Sequence, residues 1–386
     1  MIDRRGLLSF GCAQCAVLAG GKAFAQAAEW LAPPRFQRPP LDTDEGGLWA
    51  FMDREEKRLR RSPFRMGDKA LRDYLQGIAC RLGADHCPDI RVYALRTPWF
   101  NASMAPNGMM QVWSGLMLRV DNEAQLASVI GHEIGHYLQR HAVERLRDAH
   151  SRSAFGMVLN IALGGVGALA QLALLAGQFG FTRDQEREAD RIGVILMSKA
   201  GYDPHEAARV WANLRAEAMA SGEDPAKRSV LFATHPDSGE REKTLAELAS
   251  GRTGETGLEA WRTRIDPHLL MLLEDELHRG QFAETLVLLE RLIGRDGENG
   301  RLLFARGEAY RLRAGEGDVG QAIANLEKAA TLADAPAVVH RSLGLALQGE
   351  GAGERAVQAY RRYIELSPEG PDVEMIKTYI QGLQRS

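Results

Sequence analysis

Cysteine is scarce in this sequence: four among 386 residues, at positions 12, 15, 80 and 87. That count excludes a disulfide-dense secreted scaffold and leaves too few ligands for a cysteine-built zinc site. An excess of positive charge is also missing. Lysine and arginine number 48 against 51 acids, for a net charge of −3, so the basic footprint of a nucleic-acid binder is lacking and nucleic acid is set aside as a partner. Apolar residues at 45% and charged residues at 26% rule out a disordered or collagen-like chain. This length outgrows one ordinary core and predicts two domains.

Residues 1–25 read as a signal peptide: Arg4 and Arg5, an apolar run from Gly6 to about Gly21, then Ala23-Phe24-Ala25, with cleavage expected after Ala25. The arginine pair loosely matches a twin-arginine signal. Leu8 to Cys12 makes a poor lipobox, because the apolar run before the cysteine is too short. Export to the periplasm is therefore the expectation, and it leaves Cys80 and Cys87 able to close a small disulfide loop in an oxidising compartment. Residues 26–47, with Pro33, Pro34, Pro39 and Pro40, predict an extended linker, with structure starting near Leu48.

The spacing of Leu71, Leu75, Ile78 and Leu82 predicts amphipathic helices between Leu48 and Leu82. The period then changes. Ile90 to Leu95 and Met110 to Trp113 alternate on either side of the Pro106-Asn107-Gly108 turn, which predicts strands around a hairpin. Asn122 with Gln125, and Thr182 with Gln185, are capping patterns that open two helices, the first running to about Leu146 and the second ending at Gly201. Between them, residues 155–181 are apolar and rich in glycine and alanine. One membrane crossing would carry the flanking helices to opposite sides of a ~30 Å hydrocarbon layer, which the site argued next forbids. A helical hairpin, buried or dipping into a membrane surface, is the expectation for 155–181, with a mobile apolar loop that meets membrane or unfolded client as the alternative.

Ile130 to His136 reads I-G-H-E-I-G-H. On a helix His132 and His136 lie about 40° apart on one face and can chelate a single ion, for which two imidazoles suit zinc. Glu133, one residue on, is placed to deprotonate water as a general base. A catalytic zinc takes a third protein ligand. The helix from Thr182 supplies Glu186, with Asp190 on the same face as an acceptor that orients a ligand imidazole. Small Ala189 and Gly193 let the two helices approach closely. Glu188 points elsewhere and reads as a solvated charge. His141 falls roughly half a turn round from His132, and no glycine between Tyr137 and Arg140 breaks the helix, so it is expected outside the ligand set. One zinc per chain follows.

Several blocks in order carry a family resemblance: Asn101-Ala102 leading to Pro106-Asn107-Gly108, Gly115-Leu116, Gly131 to His136, Glu186 to Asp190, and Thr234-His235-Pro236 with Arg241. Over about residues 70–250 the sequence resembles the zinc endopeptidases related to HtpX and the CAAX prenyl protease, and within them the periplasmic BepA-like branch. It lacks the long multiple spans of the membrane-embedded relatives. The resemblance implies His132, His136 and Glu186 as zinc ligands and Glu133 as base. It also implies that Asn101, Ala102, Ser103, Met104 and Ala105 form an edge strand on which an extended substrate backbone lies. His235 receives two competing roles, a fourth zinc ligand that holds the resting enzyme shut or a catalytic donor to the oxyanion. Arg241 is expected to support the site by structure or charge.

From about Asp266 the sequence repeats. Ala322, Leu326 and Ala329 recur 34 residues later as Ala356, Tyr360 and Tyr363, and Gly307 with Tyr310 answers Gly344 with Leu347. That period resembles the tetratricopeptide repeat, whose stacked helix pairs make a concave peptide-binding face. The expected fold class is α+β: a mainly helical zincin-type metallopeptidase domain with a small β-sheet (48–255), followed by an all-α tetratricopeptide-like repeat domain (266–386). The expected function is an exported zinc endopeptidase acting on unfolded or misassembled envelope proteins, in outer-membrane protein quality control. Its repeats would recruit clients or an outer-membrane assembly machine. The alternative is a chaperone or adaptor that works through its repeats and carries a largely latent zinc site.

Overall fold

The computed structural model describes residues 30–150, 181–222, 235 and 240–385. The expected signal segment 1–25, and all of the apolar stretch 155–181 except Phe181, lie outside the described residues. Regular structure begins earlier than the apolar spacing indicated. The Thr43 hydroxyl accepts from the Gly46 amide and opens α1 (Asp44–Leu59), whose first turn carries Asp44 and Glu45, where the helix dipole favours acids. The preceding segment, expected as an extended linker, is extended and also docked. Arg35 forks onto Asp89 at 2.8 and 2.6 Å, and His86 Nε2 lies 2.8 Å from the Pro33 carbonyl. Phe36 packs edge-on against His86 and Tyr137.

Asp68 caps α2 (Lys69–Gly83), which buries Leu71, Leu75, Ile78 and Leu82. A disulfide between Cys80 and Cys87 ties the end of α2 to the tight turn that follows. Three short strands come next, β1 (Arg91–Leu95), β2 (Ala102–Met104) and β3 (Met109–Trp113). β3 is central, parallel to β1 and antiparallel to β2, with Val92 beside Met110 and Ala102 beside Val112. The hairpin turn needs glycine at 108: its φ is +85°, and a Cβ there would sit 2.0 Å from the Asp89 carbonyl oxygen. Buried Asn107 donates to Asp53 at 2.9 Å and Glu56 at 3.3 Å, while Glu56 also accepts from Arg91 and Tyr93. These contacts pin the hairpin to α1.

A short helix, α3 (Ser114–Arg119), leads into α4 (Glu123–Leu138), which is capped by Asn122 accepting from the Gln125 amide and is buried along its whole length. The helix expected to reach Leu146 ends here. Arg140 takes a left-handed backbone, φ +60°, and a separate α5 (His141–His150) starts after it. A non-glycine residue in that region costs on the order of 1 kcal/mol. The cost is offset where its side chain is held, and Arg140 pairs with Glu45 and lies over the Phe36 ring.

The complete capping box of Thr182 and Gln185 opens α6 (Arg183–Lys199), which stops just before Gly201 at φ +79°. α6 packs on α4 through small residues, as the sequence indicated. A Cβ on Gly135 would lie 3.0 Å from the Ala189 carbonyl oxygen, and one on Gly193 would lie 3.1 Å from the His132 amide. Helices α7 (Glu206–Ala220), α8 (Arg241–Ala249) and α9 (Leu258–Ile265) close around them. Trp261 of α9 is fully buried and donates to the Val120 carbonyl at 3.2 Å.

Among the described residues the α-helices that follow are α10 (Leu269–His278), α11 (Phe282–Asp296), α12 (Gly300–Arg313), α13 (Asp318–Ala330), α14 (Val338–Gly349), α15 (Gly353–Leu366) and α16 (Val373–Leu383). α12 packs with α13, and α14 with α15, by the same device. A Cβ on Gly307 would meet Leu326 at 2.7 Å, and one on Gly344 would meet Tyr360 at 2.4 Å. Ala322, Leu326, Ala329, Ala356, Tyr360 and Tyr363 share one buried core. These helices join the rest through Arg119, which is buried and donates to Glu217 of α7 and Glu276 of α10 at 2.7 Å each. Both expected domains, 48–255 and 266–386, fall within one compact unit, Pro33–Ser386. The fold is mostly helical with a small three-stranded sheet, and no helix among the described residues is long and apolar enough to cross a membrane.

Candidate metal centre

Close packing of α4 on α6 decides what faces what. His132 and His136 come from α4, Glu186 and Asp190 from the facing side of α6, and His235 enters from beyond α7. One donor atom from each of His132, His136, Glu186 and His235 lies within 4.8 Å of every other, and all four side chains are buried. His132 Nε2 is 3.0 Å from His136 Nε2 and 3.2 Å from His235 Nδ1, and His235 Nδ1 is 2.8 Å from Glu186 Oε1.

Proton placement on His132 follows from its partner. Asp190 Oδ1 lies 2.9 Å from His132 Nδ1, so the proton belongs on Nδ1 and the Nε2 lone pair faces the cluster. The same carboxylate oxygen accepts from Arg241 at 2.6 Å, and Arg241 also reaches Glu186 Oε2 at 3.0 Å. Its guanidinium carbon sits 3.9 Å from the centre of the Trp211 ring. A fully buried cation at the back of the site balances two carboxylates.

Burial raises the Glu133 carboxyl above the usual range, against the nearby His235 and His132. Its Oε1 makes no hydrogen bond and lies 3.5 Å from His235 Nε2. Burial would raise Glu186 as well, but His235 and His132 outweigh it and hold that carboxyl well below the usual range. His136 is pushed far down by burial, so its imidazole is neutral. Burial opposes protonation of His235 too, yet Glu186 and Glu133 together raise it. Neutral or paired imidazoles converging on an anionic carboxylate, beside an orphaned buried oxygen, form a donor set that suits a divalent cation with nitrogen and oxygen preferences.

The expected edge strand is in place: β2 has β3 on one side only among the described residues and packs on α4. It is shorter than expected, with Asn101 and Ala105 flanking its three residues, Ala102, Ser103 and Met104. The Met104 backbone acts on the Glu133 carboxyl against its burial, which places strand beside site.

At His141 the structure departs from the expected helix path, although the residue lies outside the four-residue cluster. It was placed half a turn away on a continuous helix, but the turn at Arg140 swings it back, so that its Nδ1 lies 2.8 Å from His136 Nδ1. It is not in the four-residue cluster, but it touches a member of it. Glu188, read as a solvated charge, is half-exposed, accepts from Gln139 and lies 3.5 Å from His141 Nε2. Two further contacts were missed. Phe181 stacks on the His136 ring at 3.8 Å, and Trp211 underlies Arg241. Helical spacing carries no signal for either, because each depends on how separate helices cross.

Residues 66–249 match the family model for Peptidase family M48. Over 236 residues the chain is 28% identical to the beta-barrel assembly-enhancing protease of Escherichia coli, covering 55% of this chain and 46% of that protein. Over 161 residues it is 33% identical to the mitochondrial metalloendopeptidase OMA1 of Schizosaccharomyces pombe, covering 40% of this chain and 45% of that one. The chain spans less than half the length of the curated relatives it matches.

Proposed function

Since residues 66–249 are a domain of Peptidase family M48, we propose that this chain is a zinc-dependent endopeptidase that binds one zinc ion through His132, His136 and Glu186. The observation that carries the proposal is the buried convergence of those three donors, with Glu133 alongside and unpaired at Oε1. When bound, zinc supplies Lewis-acid polarisation of the scissile carbonyl and a lowered pKa for water. Glu133 takes the proton of the attacking water and passes it to the leaving amine; a carboxyl raised by burial is better matched to that double task than an ordinary one. Asp190 fixes the His132 ring with its Nε2 lone pair inward, and Arg241 holds Asp190 in place. β2, with Asn101 and Ala105 at its ends, aligns the substrate by backbone pairing. Backbone pairing reads few side chains, which suits varied, unfolded substrates.

His235 acts as a resting-state latch in this reading. Its contacts with Glu186 at 2.8 Å and with Glu133 at 3.5 Å occupy the groups that catalysis needs. The name of the Escherichia coli relative, a beta-barrel assembly-enhancing protease, supports a role in β-barrel assembly. We extend the proposal to export by the 1–25 signal, a periplasmic location, and unfolded or misassembled envelope proteins as substrates. The recurring glycine-against-large-residue packing of α12 to α15 supports tetratricopeptide-like repeats that recruit those clients or an assembly machine.

The test is metal content together with casein cleavage for the wild type, Glu133→Gln and His235→Ala. One zinc per chain, with cleavage lost in Glu133→Gln and raised in His235→Ala, is expected. Zinc without cleavage in all three would favour an adaptor acting through its repeats.

A further inference from the structure

Arg241 is a cation in an unfavourable place. It is the first residue of α8, where the helix dipole is positive, and its side chain is only 4% exposed. Two carboxylates answer its charge, Asp190 Oδ1 at 2.6 Å and Glu186 Oε2 at 3.0 Å. Its flat face has a different neighbour, the Trp211 ring of α7, whose centre is 3.9 Å from the guanidinium carbon. We propose that Trp211 is a positioning residue for the metal centre, holding the guanidinium against its ring face so that Asp190 and Glu186 keep the orientation the ligands need. This rests on the zinc reading above.

The sequence of α7 brings Trp211 to this place. Ala207, Val210, Trp211 and Leu214 recur at helical spacing and are all buried, so the stripe turns the ring inward, where α7 packs on α4 and α8. Packing asks only for volume at position 211. The electron-rich face of an indole adds attraction for a cation, and that attraction grows as water is excluded. Water is nearly excluded here. The cavity that Trp211 and Arg241 share with His132, Asp190, Met197 and Leu245 measures about 20 Å³, space for little more than one water. A leucine at 211 would widen it, and water entering there would compete with Asp190 and Glu186 for the guanidinium N–H groups.

Both carboxylates that Arg241 holds bear on the proposed ligands. Asp190 Oδ1 also accepts from His132 Nδ1 at 2.9 Å, so a guanidinium that turned away would loosen the group that orients the His132 ring. Glu186 has Oε1 beside His136 and His235, at 3.3 and 2.8 Å, while Oε2 is drawn to Arg241, so the arginine fixes the rotation of that carboxylate. One ring thus acts, through Arg241, on two of the three proposed ligands, His132 and Glu186.

Two measurements on the full chain test this. In the first, zinc affinity is read by competition against a chromophoric chelator for the wild type, for chains carrying mono-, di- or trifluorinated tryptophan at 211, and for Trp211→Leu. Fluorine draws electron density from the ring face while leaving its shape almost unchanged, so a packing role would not register it. Affinity should fall stepwise with fluorine number, and by about tenfold in Trp211→Leu, the low end for groups that support metal ligands from behind. In the second, the guanidinium N–H resonances of Arg241, assigned by their absence from Arg241→Lys, are followed by proton–nitrogen NMR. They are resolved while the group is held and average when it rotates, so they should be separate in the wild type and merge along the same series. Affinity that ignores fluorine overturns the proposal whether or not Trp211→Leu weakens the site, because volume would then be the cause. Affinity that falls while the Arg241 signals stay separate overturns the route through Arg241. Cleavage that depends on Glu133, with affinity indifferent to fluorine, leaves the peptidase reading standing and removes this role for Trp211. Fluorine-dependent affinity in a chain that never cleaves does the reverse.

Discussion

His136 and His141 meet Nδ1 to Nδ1 at 2.8 Å, across the left-handed turn that separates their helices. Only one of the two nitrogens can hold the shared proton. With the proton on His136, the Nε2 lone pair of that ring faces the metal cluster, and His141 Nε2 turns to Glu188 at 3.5 Å. On the proposed ligand set, His141 thereby selects the tautomer that His136 needs to serve as a ligand. His141→Ala should retain one zinc at saturation but weaken affinity by roughly 10- to 100-fold, whereas Glu186→Ala should remove the saturable site. Competition against a chromophoric chelator reads both. Wild-type affinity in His141→Ala would reduce the contact to packing.

What the sequence made legible follows from local physics. Capping side chains at Asn122 and Thr182 mark where α4 and α6 begin, because a cap satisfies amides of its own helix. Spacing put His132 and His136 on one face, and small residues at 189 and 193 announced the close approach of α4 and α6. The left-handed Arg140 was invisible, because its conformation is held by Glu45 and Phe36, far away in sequence. The docking of Phe36 was hidden for the same reason. Prolines do make that segment extended, but whether an extended segment floats or docks depends on Asp89 and His86, which no local pattern connects to it.

Arg119 is the cation shared by Glu217 and Glu276, all three being buried. Replacing it with methionine keeps the volume but leaves two carboxylates short of a partner. A broken buried pair costs about 3–5 kcal/mol. The low end applies here, since Arg291 still reaches Glu217 and Arg279 still reaches Glu276 at 2.7 and 2.6 Å. Urea unfolding of Arg119→Met should show a loss of about 3 kcal/mol, and Arg119→Lys, which keeps a cation beside both carboxylates, should lose less. Equal losses in the two variants would mean that the arginine acts through packing and fork geometry and not through its charge.

Stability should also fall in acid through Glu276. Burial would raise its pKa, but Arg119 and Arg279 win and hold it down to about 2, from an ordinary 4.5. Between those values the unfolded chain binds the proton and the folded chain does not. The contribution is therefore complete above about pH 4.5 and lost as pH falls toward 2, amounting to roughly 3 kcal/mol. Urea titrations from pH 6 to pH 2.5 should show a shallower slope for Glu276→Gln than for the wild type, with the variant weaker at pH 6. Parallel slopes would place the acid sensitivity elsewhere.

The narrow gap between α4 and α6 predicts that stability and metal affinity are linked at Gly193. A Cβ there would lie 3.1 Å from the His132 amide and 3.4 Å from the Gly131 carbonyl carbon, both backbone atoms of a buried helix that cannot step aside cheaply. Valine adds two more carbons, and overpacking of this kind costs about 1–3 kcal/mol. Relief comes by moving α6 outward, and Glu186 rides on α6, so the carboxylate leaves His132 and His136. Gly193→Val should therefore lower both the unfolding free energy and zinc affinity, the latter by more than about tenfold, since a misplaced ligand loses most of its bond. Gly77→Ala in α2 is the control: nothing lies within 4 Å of a Cβ there, so it should gain roughly 0.5–1 kcal/mol and leave zinc binding untouched. If Gly193→Val lost stability but bound zinc as tightly as the wild type, α6 would be yielding at some other point along its length, and Glu186 would owe its position to Arg241 and His235 instead of to helix spacing.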